Sequence, residues 1–379
     1  MGGSELIGKE EKDALAEVID RGGVLFRYGF DEKRANVFKV AEFEKKFADY
    51  MGVRYALAVS SGSSALRVAL AALKVGPGDE VITQSFTFVA TIEAILESGA
   101  TPVIANVDKS LNLDPKDFRN KITNRTKIVI PVHMLGVPAR MAEIIEIARA
   151  HGLPVIEDSC QACGSSYKGR KTGTLGVIGC YSFDYVKTIT TGEGGMVVTD
   201  NRDLYVRALE FHDHGHQHRT DVPRGKDSHR IIGFNYRMNE LQAALGIVQL
   251  GRLDYVLSQQ RKNKEQIKSA LSSRKDIEFR SLPDEEGDGG DTLIFFLENS
   301  KKAQELEAVF TEKGIGTKIL PSAMDWHFAE RWHHMTGKIK PEDEEWRKTS
   351  ELLNRAIAIP ISVNMSQEQI QTIISAITQ

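Results

Sequence analysis

The spacing of apolar residues changes period along the chain, and each change marks an element. Residues 9–21 and 37–51 carry helical spacing, the second placing Val40, Phe43, Phe47 and Tyr50 on one face. From residue 54 short apolar runs alternate with helical segments. Strands are expected at 55–59, 80–83, 102–105, 127–131 and 153–157, with helices at 63–74, 88–98 and 139–151 between several of them. That alternation predicts βαβ units and an α/β fold with a mainly parallel sheet, whose strand ends carry the ligand site. After residue 200 a helix near 201–212 leads into a His- and Arg-rich loop. A long helical stretch over 238–271, with Leu241, Leu245, Val248 and Leu253 near helical spacing, then reads as a bridge between domains. Beyond it a smaller α+β unit is expected, with strands at 276–280, 292–297 and 356–359 and helices at 301–313 and 342–354. The last helix opens with a Ser366-x-x-Gln369 capping box. The division is therefore a large domain over 1–250 and a small C-terminal domain over 251–379. Residues 283–291 read as an exposed loop, and 22–36, where Phe26, Tyr28 and Phe30 mix with Arg27, Lys33 and Arg34, read either as a linker or as a loop closing over an anion.

Composition narrows the partners. The chain has 379 residues and a net charge of −3, so it carries no basic surplus for nucleic acid. No apolar run approaches the roughly 18 residues of a membrane span. The start, MGGSELIGKEEK, offers no apolar core for a signal peptide, and the expected location is cytoplasmic. Cys160, Cys163 and Cys180 are too few for a disulfide framework, and the one C-x-x-C has no second pair for zinc, so they are expected as packed thiols.

Several segments could carry chemistry, each with a plain structural alternative. Lys187 stands in CYSFDYVKTITTGEGGM, where a strand gives way to a Thr/Gly-rich turn; it is either a solvated lysine or an amine aimed at an aldehyde such as that of pyridoxal phosphate. Ser60–Leu66, SSGSSAL, follows a strand and opens a helix, which suits either helix caps or a phosphate cup of bare N–H groups. Phe86 and Phe88 in QSFTF are core residues or a face for a planar ring. Glu157-Asp158 ends an apolar strand, where a carboxylate caps a helix or pairs with a pyridinium nitrogen.

The order SSGSSAL, SFTFVAT, EDSCQA, SFDYVKTITTGEGGM and GFNYRMNELQAALGIVQLGRLD resembles the DegT/StrS-type sugar aminotransferases, pyridoxal phosphate enzymes of fold type I. The resemblance spans residues 37–260. It implies that Lys187 forms the Schiff base with pyridoxal 5'-phosphate and shuttles the proton, that Asp158 pairs with the ring nitrogen, and that Gln161 bonds the phenolic oxygen. It further implies that Phe88 stacks on the ring, that Gly62, Ser63 and Ser182 hold the phosphate, and that Asn235 reaches across from the second subunit of a homodimer. A related dehydratase subgroup replaces the lysine with histidine, which Lys187 argues against.

Two regions depart from the usual family pattern. The 25–36 segment is longer, and LPSAMDWHFAERWHHM replaces a shorter His- and Pro-containing stretch. FRYGFD, DHGHQH and MDWHF resemble the subgroup that makes an amino-dideoxy-octulosonate, a free sugar acid. Arg27 and Arg34 would then bind its carboxylate, with His133, His214, Trp326 and His327 as further substrate candidates. The alternating His212, His214, His216 and His218 do not set up tetrahedral geometry, so no metal is expected. The expectation is an aminotransferase moving an amino group from L-glutamate or glutamine to a keto- or aldehydo-sugar in amino-sugar or lipopolysaccharide biosynthesis. The alternatives are a nucleotide-linked 3- or 4-keto sugar as acceptor, and a non-catalytic cofactor-binding regulator.

Overall fold

The computed structural model describes residues 2–335 and 346–378. Two amphipathic helices lead: α1 (Lys9–Asp20) and α2 (Lys39–Met51). The alternating region follows as β1 (Tyr55–Val59), α3 (Gly62–Ala72), β2 (Glu80–Gln84), α4 (Ala90–Glu97), β3 (Thr101–Ala105), α5 (Pro115–Asn120), β4 (Thr126–Ile130), α6 (Met141–Ala150) and β5 (Ile156–Asp158). A small hairpin, β6 (Ser166–Tyr167) and β7 (Arg170–Lys171), precedes β8 (Ile178–Ser182), β9 (Gly195–Thr199) and α7 (Arg202–Phe211).

Strands β3, β2 and β4 pair in parallel, as do β5 and β8, and the parallel bridges Val129–Val155 and Val132–Asp158 join the two groups. The order is β3-β2-β4-β5-β8-β9-β1, with β9 antiparallel to both its neighbours. Every residue of β2, β8 and β9 is buried, as a sheet covered on both faces requires. Side chains alternate accordingly. Leu57 and Val59 pack with α3 and α7, whereas Ala56 and Ala58 face Phe43 and Phe47 of α2 on the other side. The antiparallel β9 and the short α5 were not among the sequence expectations.

The expected long helix is broken. α8 (Glu240–Gly251) starts at an Asn239/Gln242 capping box, and α9 (Leu253–Leu271) begins after Arg252, whose φ of −103° and ψ of −3° interrupt the regular helix. The Arg252 guanidinium is bonded to the Leu6 carbonyl at 2.5 Å and to Glu11 at 2.7 Å, contacts with sequence separations above 240 residues. Then come β10 (Glu278–Phe279), β11 (Thr292–Phe296), α10 (Ser300–Glu312), α11 (Arg347–Asn354), β12 (Ala356–Pro360) and α12 (Gln367–Thr378). Residues 342–345 of the expected 342–354 helix lie outside the described residues. The antiparallel sheet β10-β11-β12 buries one face under α9, α10 and α12. Its other face, Ile294, Phe296 and Ala358, shares a core with Ile104 of the large sheet, with Phe86 and Val132 just beyond its strand ends, and with Leu320, Phe328 and Trp332. Residues 283–291 are not simply exposed: Gly287–Gly290 are buried, Asp288 accepts from Lys264, and Asp291 accepts from Lys318 at 2.6 Å.

Candidate active site

Four strand ends converge on one cavity of about 410 Å³. The β1 end supplies the turn into α3, the β2 end supplies Thr87 and Phe88, the β5 end supplies Asp158, and the β8 end supplies Ser182 and the loop carrying Lys187. The Lys187 amide donates to Asp184 O at 3.0 Å, a turn that brings the side chain to the cavity wall. Its amine makes no hydrogen bond or ion pair with the described residues.

Asp158 is 3% exposed. One carboxylate oxygen accepts the Thr91 hydroxyl at 2.8 Å and the other the Cys160 N–H at 3.1 Å, while Thr91 also meets the Thr87 hydroxyl at 2.8 Å. These bonds fix the orientation of the carboxylate. Gln161 accepts the Leu135 N–H at 3.1 Å, which assigns its carbonyl inward and leaves its NH2 as a donor on the cavity side. The turn that presents Leu135 N–H is itself held by Arg280, a buried guanidinium that donates to the carbonyls of Ser110, Met134 and Leu135. With no carboxylate of the described residues bonded to it, burial brings Arg280 down to about 10.

At the α3 end, Ser61 caps the helix by accepting the Ser64 N–H at 3.0 Å, so that hydroxyl is committed. Gly62 is buried and Ser63 exposed, and a Cβ on Gly62 would stand 2.7 Å from Ser182 Cβ. The Gly62 and Ser63 N–H groups at the start of α3 make no hydrogen bond with the described residues, and the helix dipole favours an anion there. Phe88 is 41% exposed although it sits among buried neighbours, and its ring lies 5.3 Å from that of His327. His327 lines the cavity, and burial, then the nearby Lys187 and Lys318 charges, bring its imidazole down to about 4, so it is neutral near pH 7. Glu193, also on the wall, is raised by burial and by Asp184.

The structure thus brings together Lys187, Asp158, Gln161, Phe88, Gly62, Ser63, Ser182 and His327. It does not bring in the other candidates. Arg27, 7% exposed, donates to Glu44 at 2.7 Å and to Ala58 O at 3.1 Å. Arg34, 3% exposed, is held by the Phe26 carbonyl, by Glu240 at 3.6 Å and by the Phe38 ring. Both are structural cations, and the reading of them as carboxylate binders is corrected. His133 is fully buried, with Nε2 on Glu157 at 2.9 Å and Nδ1 accepting the Ala139 N–H at 3.0 Å; Glu157 also takes three backbone N–H groups from residues 173–176. It is a core histidine. His214 and Asn235 are exposed and do not line the cavity of their own chain, and Trp326, 63% exposed, stands beside it. Thr91 was missed, although Thr87 and Thr91 are spaced i, i+4 after a strand, which is a readable signal.

Around His212 the side chains form ion pairs, with Asp213 accepting from Arg224 and Arg237 and lying 3.4 Å from His218, while His216 lies 3.3 Å from Asp227. Among the described residues no group of three or more His, Cys, Asp or Glu is arranged to hold a metal, and no helix is long and apolar enough to cross a membrane.

Comparison with known proteins was consistent along the chain. The profile of the DegT/DnrJ/EryC1/StrS aminotransferase family matches residues 29–378. The GDP-perosamine synthase of Caulobacter vibrioides is 44% identical over 216 residues, so the match spans only 57% of each chain. That of Escherichia coli O157:H7 is 40% identical over 71% of this chain and 70% of its own. The spore coat polysaccharide biosynthesis protein SpsC of Bacillus subtilis is 32% identical over 98% of this chain and 94% of its own. Among solved structures, an aminotransferase from Psychrobacter cryohalolentis superposes with a TM-score of 0.87 at 29% identity, covering 98% of this chain and 96% of that one.

Proposed function

The chain belongs to the DegT/DnrJ/EryC1/StrS aminotransferase family, whose enzymes depend on pyridoxal phosphate, and from that premise we propose that it aminates a nucleotide-linked keto sugar using L-glutamate or glutamine as donor. The observation that carries the reading is the single cavity in which an unpartnered lysine, an oriented carboxylate, an exposed aromatic face and a bare helix N-terminus meet. Those residues fit the cofactor. Lys187 would hold it covalently, Asp158 would pair with the ring nitrogen, Gln161 would donate to the phenolic oxygen and Phe88 would cover one ring face. Gly62, Ser63 and Ser182 would take the phosphate. When bound, pyridoxal phosphate supplies an aldehyde and a conjugated ring that accepts an electron pair.

The residues then divide the remaining work. Lys187, once free, moves the proton between the donor or acceptor carbon and the site. Asp158, fixed by Thr91 and Cys160, presents its carboxyl group in one orientation. Neutral His327 is free to hydrogen-bond an uncharged sugar hydroxyl. The acidic-sugar reading loses the two cations assigned to its carboxylate, because Arg27 and Arg34 are bonded elsewhere. Two relatives are named for a GDP-linked product, which favours a nucleotide-linked acceptor. A homodimer completes the proposal: Asn235 is exposed beside Phe234 and Ile232, and Ile232 is 85% exposed, a surface suited to a second copy.

The test is transfer from glutamate to a panel of GDP- and other nucleotide-linked keto sugars and to free sugar acids, read as 2-oxoglutarate formed. Turnover on a nucleotide-linked sugar that disappears in Lys187→Ala is expected. Turnover confined to a free sugar acid, or retained in Lys187→Ala, overturns the proposal.

A further inference from the structure

The turn Gly3–Leu6 packs against the loop that carries Lys187. The Gly3 N–H donates to the Lys187 carbonyl at 3.3 Å, and residues 2 and 3 are both buried. A Cβ on Gly2 would stand 2.6 Å from the Thr188 carbonyl oxygen and 2.7 Å from Thr188 Cα. One on Gly3 would stand 2.9 Å from Ile189 Cα and would overlap the Gln249 side-chain oxygen. Most of these neighbours are main-chain atoms, which cannot rotate away as a side chain can.

The same place is tied from a second direction. Gln249 of α8 accepts the Thr190 N–H at 3.4 Å and donates to Glu11 at 2.9 Å. Glu11 is also held by Arg252, which bonds the Leu6 carbonyl as well. Glu5 accepts from the Ser362 hydroxyl and from the Asn364 N–H at 3.1 Å. Residues 2–11 are therefore anchored on α8, on the break at Arg252 and on the strand end after β12, and they present two side-chain-free residues to 187–190.

We propose that Gly2 and Gly3 are positioning residues for Lys187, holding its main chain still while its amine alternates between bonding the cofactor and moving a proton. The inference rests on the reading of Lys187 as the reacting amine. A lysine whose carbonyl and following residues are clamped has only its side-chain torsions to vary, so the amine returns to the same point each cycle. A shift of the Ile189 and Thr188 main chain to admit a methyl group passes directly into the lysine's position.

The experiment uses the holoenzyme and Gly3→Ala, with Gly316→Ala, where a Cβ meets nothing within 4 Å, as control. Borohydride reduction and peptide mapping come first. Label on residue 187 in the parent and the variant sustains the premise; label elsewhere defeats the proposed function and the clamp with it, whereas label on 187 with unmoved kinetics defeats the clamp alone. Single-turnover transfer from glutamate should fall about tenfold or more, since a misplacement of about 1 Å can cost about a hundredfold. KM for glutamate should stay within about twofold, and the pH titration of the visible cofactor band should move. A loss of thermal stability with unchanged turnover and a superimposable titration overturns the proposal, because that is the signature of a purely structural contact. Should Gly3→Ala fail to fold, Gln249→Ala removes the tie to Thr190 and Glu11 without adding bulk. It must then lower turnover with the same signature, and unaltered turnover overturns the proposal.

Discussion

Replacing Arg27 by alanine separates two roles open to a guanidinium in an aminotransferase for sugars, reading an acidic substrate and neutralising a buried acid. The geometry assigns the second. Arg27 and the Ala58 N–H both donate to Glu44 at 2.7 Å, and the pair is shielded from solvent, with side chains 7% and 12% exposed. Removing one partner of such a pair costs about 3–5 kcal/mol, because the remaining charge stays buried. An unfolding entropy of about 2.1 cal/mol/K per residue puts the whole chain at roughly 0.8 kcal/mol/K, so the melting temperature should fall by about 4–6 °C. The loss should also depend on pH. Burial already pushes the Glu44 carboxyl up while Arg27 pulls it down, and without Arg27 it protonates more readily. A folded-state carboxyl above its unfolded value favours the fold at acid pH, and that advantage disappears as pH rises past the folded value, so the deficit should be smaller near pH 5 than near pH 8. Thermal and urea unfolding at several pH values, run beside KM for the sugar acceptor, checks both parts. A melting temperature within about 1 °C of the parent, with KM for a carboxylated sugar raised about tenfold, would refute the assignment.

Gly62→Ala, whose Cβ would press on Ser182 Cβ and on Cys160 Sγ at 3.1 Å, should weaken pyridoxal phosphate about tenfold, or about 1.4 kcal/mol, while unphosphorylated pyridoxal binds as before. Equilibrium dialysis with both ligands measures it. Burial pushes the Asp213 carboxyl up, but the bond from Arg224 and the charges of Arg224 and Arg237 outweigh this and hold it at about 2. That contribution, about 2 kcal/mol, should be fully present above about pH 4 and lost as pH falls toward 2, and Asp213→Asn should flatten this part of the urea-unfolding profile.

Where an element is decided locally, the sequence discloses it. β1 appears at 55–59 as expected, and the Ser366/Gln369 capping box forms, with reciprocal bonds of 2.9 and 3.1 Å. The cavity residues on motif segments, Lys187, Asp158, Gln161 and Phe88, were also readable, because each follows a strand end or a turn of distinctive composition. What escaped depends on distant partners. Gly251 is the only local hint of a break at residue 252, which is held from residues 6 and 11. Arg27, Arg34 and His133 look like site residues until Glu44, Glu240 and Glu157 are seen to receive them. The 283–291 segment looked like an acidic solvent loop because the lysines that bury two of its acids lie elsewhere in the chain.

The core shared by the two sheets bears on how molecules enter and leave. Swinging the C-terminal sheet aside would bring Phe86, Phe328 and Trp332, now at most 3% exposed, into water. An aromatic ring buries some 150–250 Å² at roughly 25 cal/mol per Å², so each would cost about 4–6 kcal/mol. Opening at that seam is too expensive to recur in every catalytic cycle. Traffic must instead pass the exposed side chains beside the cavity, Tyr185, Val186 and Trp326. Product departure is then paced by the swing of those side chains, and a probe on Trp326 would report it where one on the C-terminal sheet would stay silent.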